Sequence, residues 1–265
     1  MKLQPVTPLD EHSTASRPRY AGETVTSVSG ESSEWHSHDF GQLVSSTSGS
    51  MYVGTSTHVL LLSPAMAIWI PPDAKHWMRT SSNNEMLYVD VNRDEAKELG
   101  MECRVIAMTQ LLNALMTTTL PNQSNIRTPE HLKTLHDLIR KELVAAQDVP
   151  LSVILPQDKR IHGIAKAALS DPSLIVSVDT WLRDVAASRK TIERLFVSET
   201  GMPPSRWLRH VRLLHAVSQL AAGKKVSTVA FDMGYESASA FSYMFRRLLG
   251  VSPSQFCSDT ALHRS

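Results

Sequence analysis

Between residues 21 and 92 the apolar positions come in short runs, at 24–28, 42–46, 51–53, 59–62, 67–70 and 86–91. Gly30, Gly41, Gly49, Gly54, Pro64, Pro71 and Pro72 punctuate them. Runs of this length, with no helix-length apolar period among them, predict the short strands of a small barrel or sandwich. The period then lengthens: Val105, Met108, Leu112 and Leu115 are spaced by three, four and three, and Leu132, Leu135, Ile139 and Leu143 repeat a similar spacing after the break at Leu120-Pro121-Asn122. Two amphipathic helices in a hairpin account for this. Their stripes either cover the barrel or form a dimerisation surface, and the spacing admits both.

Residues 146–156, with Pro150 and Pro156, read as a linker. Beyond it the pattern predicts helices at about 158–169, 178–185, 189–199, 204–222, 226–232 and 238–248, with a short one after Pro253. Asp158, Ser188, Ser227 and Ser237 stand near N-caps, and Gly201, Gly223 and Gly250 near C-termini. The expected fold class is α+β. It comprises a mobile tail (1–20), a barrel (21–102), a helical hairpin (103–147), a linker (148–156) and an all-α domain (157–258).

Composition supports two folded domains: 265 residues exceed the roughly 100–150 of one compact domain, and a chain 42% hydrophobic and 20% charged is neither disordered nor fibrous. Cys103 and Cys257 are too few for a disulfide framework and suit a reducing compartment, so the expected location is the cytoplasm. The first 20 residues lack the apolar core of a secretory signal. The most apolar stretch, 59–70, is interrupted by Ser63 and Pro64 and falls short of the ~18 residues that span a bilayer, so no membrane segment is expected. The net charge of +1 conceals an asymmetry, with 15 Lys/Arg against 9 Asp/Glu from Gln157 onward and 12 against 17 before it. A basic domain joined to an acidic one places any polyanionic partner on the C-terminal half.

That half contains one plan twice: a short apolar helix, a tight turn, and a second helix opening with a serine. The second helices carry apolar stripes Ile192, Leu195, Phe196 and Phe241, Met244, Phe245, which leave the opposite faces free to enter a major groove. The connecting helix from Pro204 to Ala222 spans about 28 Å at ~1.5 Å per residue, near the roughly 34 Å between successive major-groove faces. The run from Trp181 through Phe196, then Ser198-Glu199-Thr200-Gly201-Met202, Arg206-Trp207-Leu208-Arg209, Ala230-Phe231-Asp232-Met233-Gly234-Tyr235-Glu236-Ser237, Phe245-Arg246-Arg247 and Gly250-Val251-Ser252-Pro253 resembles the AraC/XylS family over about 100 residues. The resemblance implies base-reading positions at Lys190, Glu193 and Arg194 on the first recognition helix and Ser239, Ala240 and Tyr243 on the second. Arg189, Arg206, Arg209, Arg246 and Arg247 are candidates for phosphate contact. Arg, Lys and Glu discriminate bases better than Ser or Ala, so the first helix is expected to carry more specificity. Ala186 stands where the family often has glycine at the turn.

In the N-terminal half Gly30, His36-Ser37-His38, Gln42 and Gly49 resemble the first cupin motif in their spacing, and Pro71-Pro72-Asp73-Ala74-Lys75-His76 the second, with Asp73 replacing the usual glycine. The resemblance implies a cupin-like barrel whose mouth collects His36, His38, Gln42 and His76. Gln42 stands where cupin enzymes keep a glutamate. Three readings stay open: a divalent metal on His36, His38 and His76, a metal-free pocket using these side chains as hydrogen-bond donors, or a structural role. Trp35, Trp69, Trp77, Tyr52 and Met51 either line an apolar pocket or belong to the core.

Together these features describe a homodimeric regulator that binds double-stranded promoter DNA under the control of a small-molecule or metal effector. A cupin metalloenzyme tethered to a DNA-binding module is the alternative, and a constitutive architectural DNA binder a third. The missing glutamate weighs against the enzyme, and two side-chain-rich recognition helices weigh against the architectural protein.

Overall fold

The computed structural model describes residues 22–120, 128–171, 179, 183, 185 and 187–262. The expectations for the 1–20 tail, for the helix at 178–185 and for the turn at Ala186 fall wholly or largely outside these. The chain divides into two compact units, one of Met1–Val53, Leu62–Val149 and Leu262–Ser265, the other of Gly54–Leu61 and Pro150–Ala261.

In the first unit, strands β1 (Gly22–Ser27), β2 (Gly41–Ser48), β5 (Met66–Ile70), β7 (Asn84–Val91) and β8 (Arg104–Ala107) form a five-stranded sheet in the order β1-β7-β2-β5-β8. All the pairings are antiparallel. Strands β3 (Met51–Thr55) and β6 (His76–Thr80) are neighbours in a second sheet. One face of the large sheet, built by alternate residues such as Leu87, Val89 and Val91, packs on a short helix α1 (Arg93–Ala96) and on α2 (Gln110–Thr118) and α3 (Pro129–Ala145). Gly41 lies against this face because any side chain there would overlap the Trp69 indole, whose Nε1 donates to Gly100 O at 3.0 Å.

Several expectations are corrected here. Val105 does not begin a helical stripe: it lies on β8, paired with Ile68, and α2 starts only after Thr109, whose hydroxyl caps Leu112 N. The sheet therefore extends past residue 102. A four-residue strand next to a helix mimics one longer helical period, which is why spacing alone misplaced it. The stripes cover the sheet: Leu112, Leu115, Ile139 and Leu143 are buried core residues of this unit, so they are not available as a dimerisation surface. Of the residues expected either to line a pocket or to belong to the core, Trp69, Tyr52 and Met51 are core, whereas Trp35 is exposed.

The second unit contains β4 (His58–Leu62) as far as Leu61, and β9 (Ser152–Ile154), which pair antiparallel. The linker expected at 148–156 is thus partly a strand. Six described helices follow: α4 (Lys159–Ser170), α5 (Arg189–Thr200), α6 (Pro204–Ala221), α7 (Val226–Asp232), α8 (Ala238–Leu249) and α9 (Pro253–Leu262). Asp158, Ser188 and Ser237 cap α4, α5 and α8 as expected, while α7 opens at Lys225 rather than at Ser227. Gly201 and Gly250 close α5 and α8 in the left-handed region, a conformation that favours glycine. Trp207 is fully buried on α6, meets Phe196 of α5 edge to face at 5.6 Å, and donates through Nε1 to Ile154 O at 2.7 Å. Glu199, near the end of α5, accepts from Gln157 N and Asp158 N at 2.6 and 3.1 Å, which ties the start of α4 to α5. On the buried side of α8, Phe241 meets Phe245 tilted at 5.6 Å, and Phe245 meets Phe256 of α9 edge to face at 5.8 Å.

The register of α2 is testable by adjacent substitutions. Leu112→Ala should cost about 2–5 kcal/mol in urea unfolding. Leu111→Ala, at a position 52% exposed, should stay within about 0.5 kcal/mol. Equal effects would show that the helix faces the sheet differently.

Candidate functional site

Helices α5 and α8 present the free faces that a major groove would receive. On α5, Arg189, Lys190, Glu193 and Arg194 are all exposed, opposite buried Ile192, Leu195 and Phe196. Arg189 is not a free cation: its Nε donates to Glu193 at 3.1 Å and its Nη1 pairs with Asp179. Lys190 and Arg194 have no ion-pair partner among the described residues. On α8, Ser239, Ala240, Tyr243, Arg246 and Arg247 are exposed opposite Phe241, Met244 and Phe245. Arg206 and Arg209 stand exposed one turn apart on α6. Every residue expected to meet DNA is therefore at the surface of this unit, on three helices whose core is shared.

The histidines converge in the first unit. His36 and His76 face each other through an antiparallel bridge, with ring centroids 4.2 Å apart, and His38 lies 5.2 Å from His76. His76 is fully buried, His38 half-buried and His36 exposed. Each Nδ1 lies against a backbone carbonyl: Glu34 O for His36 at 2.9 Å, Phe40 O for His38 at 2.6 Å and Ala74 O for His76 at 2.8 Å. A carbonyl only accepts, so each Nδ1 carries the proton and in the neutral ring each Nε2 is a lone-pair acceptor. Burial favours that neutral form, pushing His76 down to about 4 and lowering His38 as well. No described group bonds to Nε2 of His38 or His76, although both atoms are buried.

Gln42 is buried on β2, directly across from Asp90 on β7, and donates its amide to the Asp90 carboxylate at 3.0 Å. Asp73, where the second motif has glycine, adopts φ +62°, so the backbone keeps the glycine-type conformation. Its backbone N–H donates to His38 O at 2.8 Å and its carboxylate takes Arg93 Nη2 at 2.7 Å.

The arrangement bears on the three readings drawn from spacing. Among the described residues no three His, Cys, Asp or Glu side chains are grouped to hold a metal ion. The rings of His36 and His38 meet His76 tilted at 56° and 71°, and the position of the carboxylate ligand holds an amide already bonded to Asp90. His38 and His76 are also acceptors at Nε2, not donors.

A model of the AraC-like ligand binding domain matches residues 25–157, half of the chain, and a helix-turn-helix domain model matches 181–258. The chain belongs to the AraC family of transcription regulators. Among AraC-family relatives, the HTH-type transcriptional regulator NimR of Escherichia coli K12 is 24% identical over 221 residues, 83% of this chain and 81% of NimR. The activator RhaR of Escherichia coli O1:K1 is 31% identical over 100 residues, 37% of this chain and 34% of RhaR. In a search of solved structures, ToxT from Vibrio cholerae O395 aligns over 91% of this chain and 98% of its own, at 13% identity and a TM-score of 0.38.

Three residues of this AraC-family chain escaped the sequence reading: Asp90, Asp179 and Glu199. Asp90 sits in an apolar strand run and is legible only once the Gln42 register is known. Asp179 and Glu199 act through tertiary contacts that no periodicity announces.

The histidine chemistry predicts an acid limb. Folded His76 titrates below its ordinary value of 6.5, so its contribution is complete above about pH 6.5 and is lost as pH falls toward 4. The urea midpoint of the first unit should be flat from about pH 7 to 8 and fall below about 6.5. His76→Asn should make that fall shallower, and an unchanged slope would show that His76 is not held neutral.

Proposed function

We propose that this AraC-family chain is a cytoplasmic homodimer that binds promoter DNA sequence-specifically through α5 and α8 and answers to a small effector at the His38–His76 site. The observation that carries the reading is the pair of twelve-residue helices with serine caps, glycine stops and exposed polar faces, flanking the 18-residue helix α6. At ~1.5 Å per residue α6 spans about 27 Å, which suits one monomer to two adjacent groove segments. Buried acceptors at His38 and His76 favour an effector that donates hydrogen bonds. No described helix is long and apolar enough to cross a membrane.

Dimerisation falls to a different surface from the buried stripes. Leu111 on α2 and Leu138 and Val144 on α3 are exposed apolar side chains on the hairpin's outer surface. Leu138→Asp with Val144→Asp should convert a sedimenting dimer to monomer without shifting the unfolding curve. A wild type that is monomeric at micromolar concentration would overturn this part of the proposal.

For DNA binding, Arg194→Ala should weaken a selected duplex by about 1–3 kcal/mol and relax one base position. Equal affinity of the wild type for selected and scrambled duplexes in a gel-shift titration would overturn the regulator reading.

A further inference from the structure

The two recognition helices share one register. Each has twelve residues, begins after a capping serine at Ser188 or Ser237, and ends at a left-handed glycine at Gly201 or Gly250. Counting from the caps, Lys190 corresponds to Ser239, Thr191 to Ala240, Arg194 to Tyr243 and Val197 to Arg246. At about 100° per residue the second, sixth and ninth positions of each helix share the face opposite the buried stripe. The centre of that face is a guanidinium on α5 and a phenol ring on α8.

Tyr243 is 71% exposed, among the most exposed large apolar side chains described, and Ala240 beside it offers only a methyl group. The first eight residues of α8, Ala-Ser-Ala-Phe-Ser-Tyr-Met-Phe, contain no Arg, Lys, Asn, Gln, Asp or Glu. Nothing on these turns can make the bidentate bonds by which side chains tell guanine or adenine from other bases. The same helix is nonetheless directed to a polyanion, because Arg246 and Arg247 are exposed on its next turn. An apolar ring between a capped N-terminus and two arginines matches one feature of a base edge in the major groove, the C5 methyl of thymine.

Resting on the DNA-binding reading above, we infer that Tyr243, with Ala240 beside it, reads a thymine methyl, so that one half-site is methyl-dependent while the half-site under α5 is read by polar contacts. The two halves of the operator are then recognised by different forces, and only one of them changes when a pyrimidine gains or loses its methyl.

The full chain is used to select duplexes from a random pool, and each thymine of the selected site is replaced in turn by deoxyuridine, which removes the methyl and leaves pairing intact. Affinity should fall about three- to fivefold at one or two thymines, the effect of losing one buried methyl. These should lie in one half-site, about one helical turn from the position relaxed by Arg194→Ala. Tyr243→Phe should keep the deoxyuridine effect and Tyr243→Ala should abolish it, with circular dichroism confirming that both fold. Deoxyuridine tolerated at every position of a site still bound specifically would overturn the inference and leave the DNA-binding reading intact. So would a loss of binding in Tyr243→Phe with deoxyuridine silent, since the hydroxyl would then be the reader. A pool from which no sequence is enriched would overturn the DNA-binding reading itself, a result distinct from the other two.

Discussion

The second unit depends on the burial of Trp207. Its indole fills the space between α6 and Phe196 of α5, and its N–H is satisfied by Ile154 O of β9 at 2.7 Å. An aromatic of this size contributes several kcal/mol by burial, and its N–H would cost about 1–3 kcal/mol if left unpaired in the core. One side chain therefore joins α5, α6 and the strand β9. Glu199 adds a second tie, so β9 is held to α6 by the indole N–H and the start of α4 to α5 by the carboxylate. The exposed face of α5 is positioned by this core and needs no contacts of its own to hold it.

The histidine cluster is governed by a simpler rule: a carbonyl cannot donate. Three backbone carbonyls set three tautomers, and the Nε2 lone pairs follow from that without reference to any ligand. With an amide at Gln42 and a carboxylate opposite it at Asp90, the sheet holds a negative group behind the amide that bonds it.

Much of this was legible in the chain. All six strand runs overlap observed strands, the first overshooting β1 by Val28, because glycine and proline punctuation is local chemistry, and the caps Asp158, Ser188 and Ser237 were readable for the same reason. What was hidden shares one cause. β8 and β9 have four and three residues, and β6 mixes polar and apolar residues without a long apolar run, so all three owe their conformation to a partner strand. Val105 looked helical because a strand of four residues has too few positions to display its own period. The exposed positions of α5 and α8 followed from the stripes they oppose. The Arg189 pairing and the orientation of the imidazoles did not, since both are set by groups distant in sequence or by the backbone.

The ion pairs of Arg189 bear on how attraction and choice are divided along the DNA-facing surface. With Asp179 and Glu193 both bound to it, the face around α5 carries three cations against two anions and is close to electroneutral. The release of condensed counterions that drives non-specific association scales with uncompensated positive charge. On the DNA-binding function proposed above, that drive falls more to Arg206, Arg209, Arg246 and Arg247, which have no acidic partner among the described residues, than to α5, where the unpaired Lys190 and Arg194 share their face with Glu193. On that proposal α5 would add little to the pull on the polymer and more to the choice of sequence, a partition suited to sliding on any duplex and pausing on one.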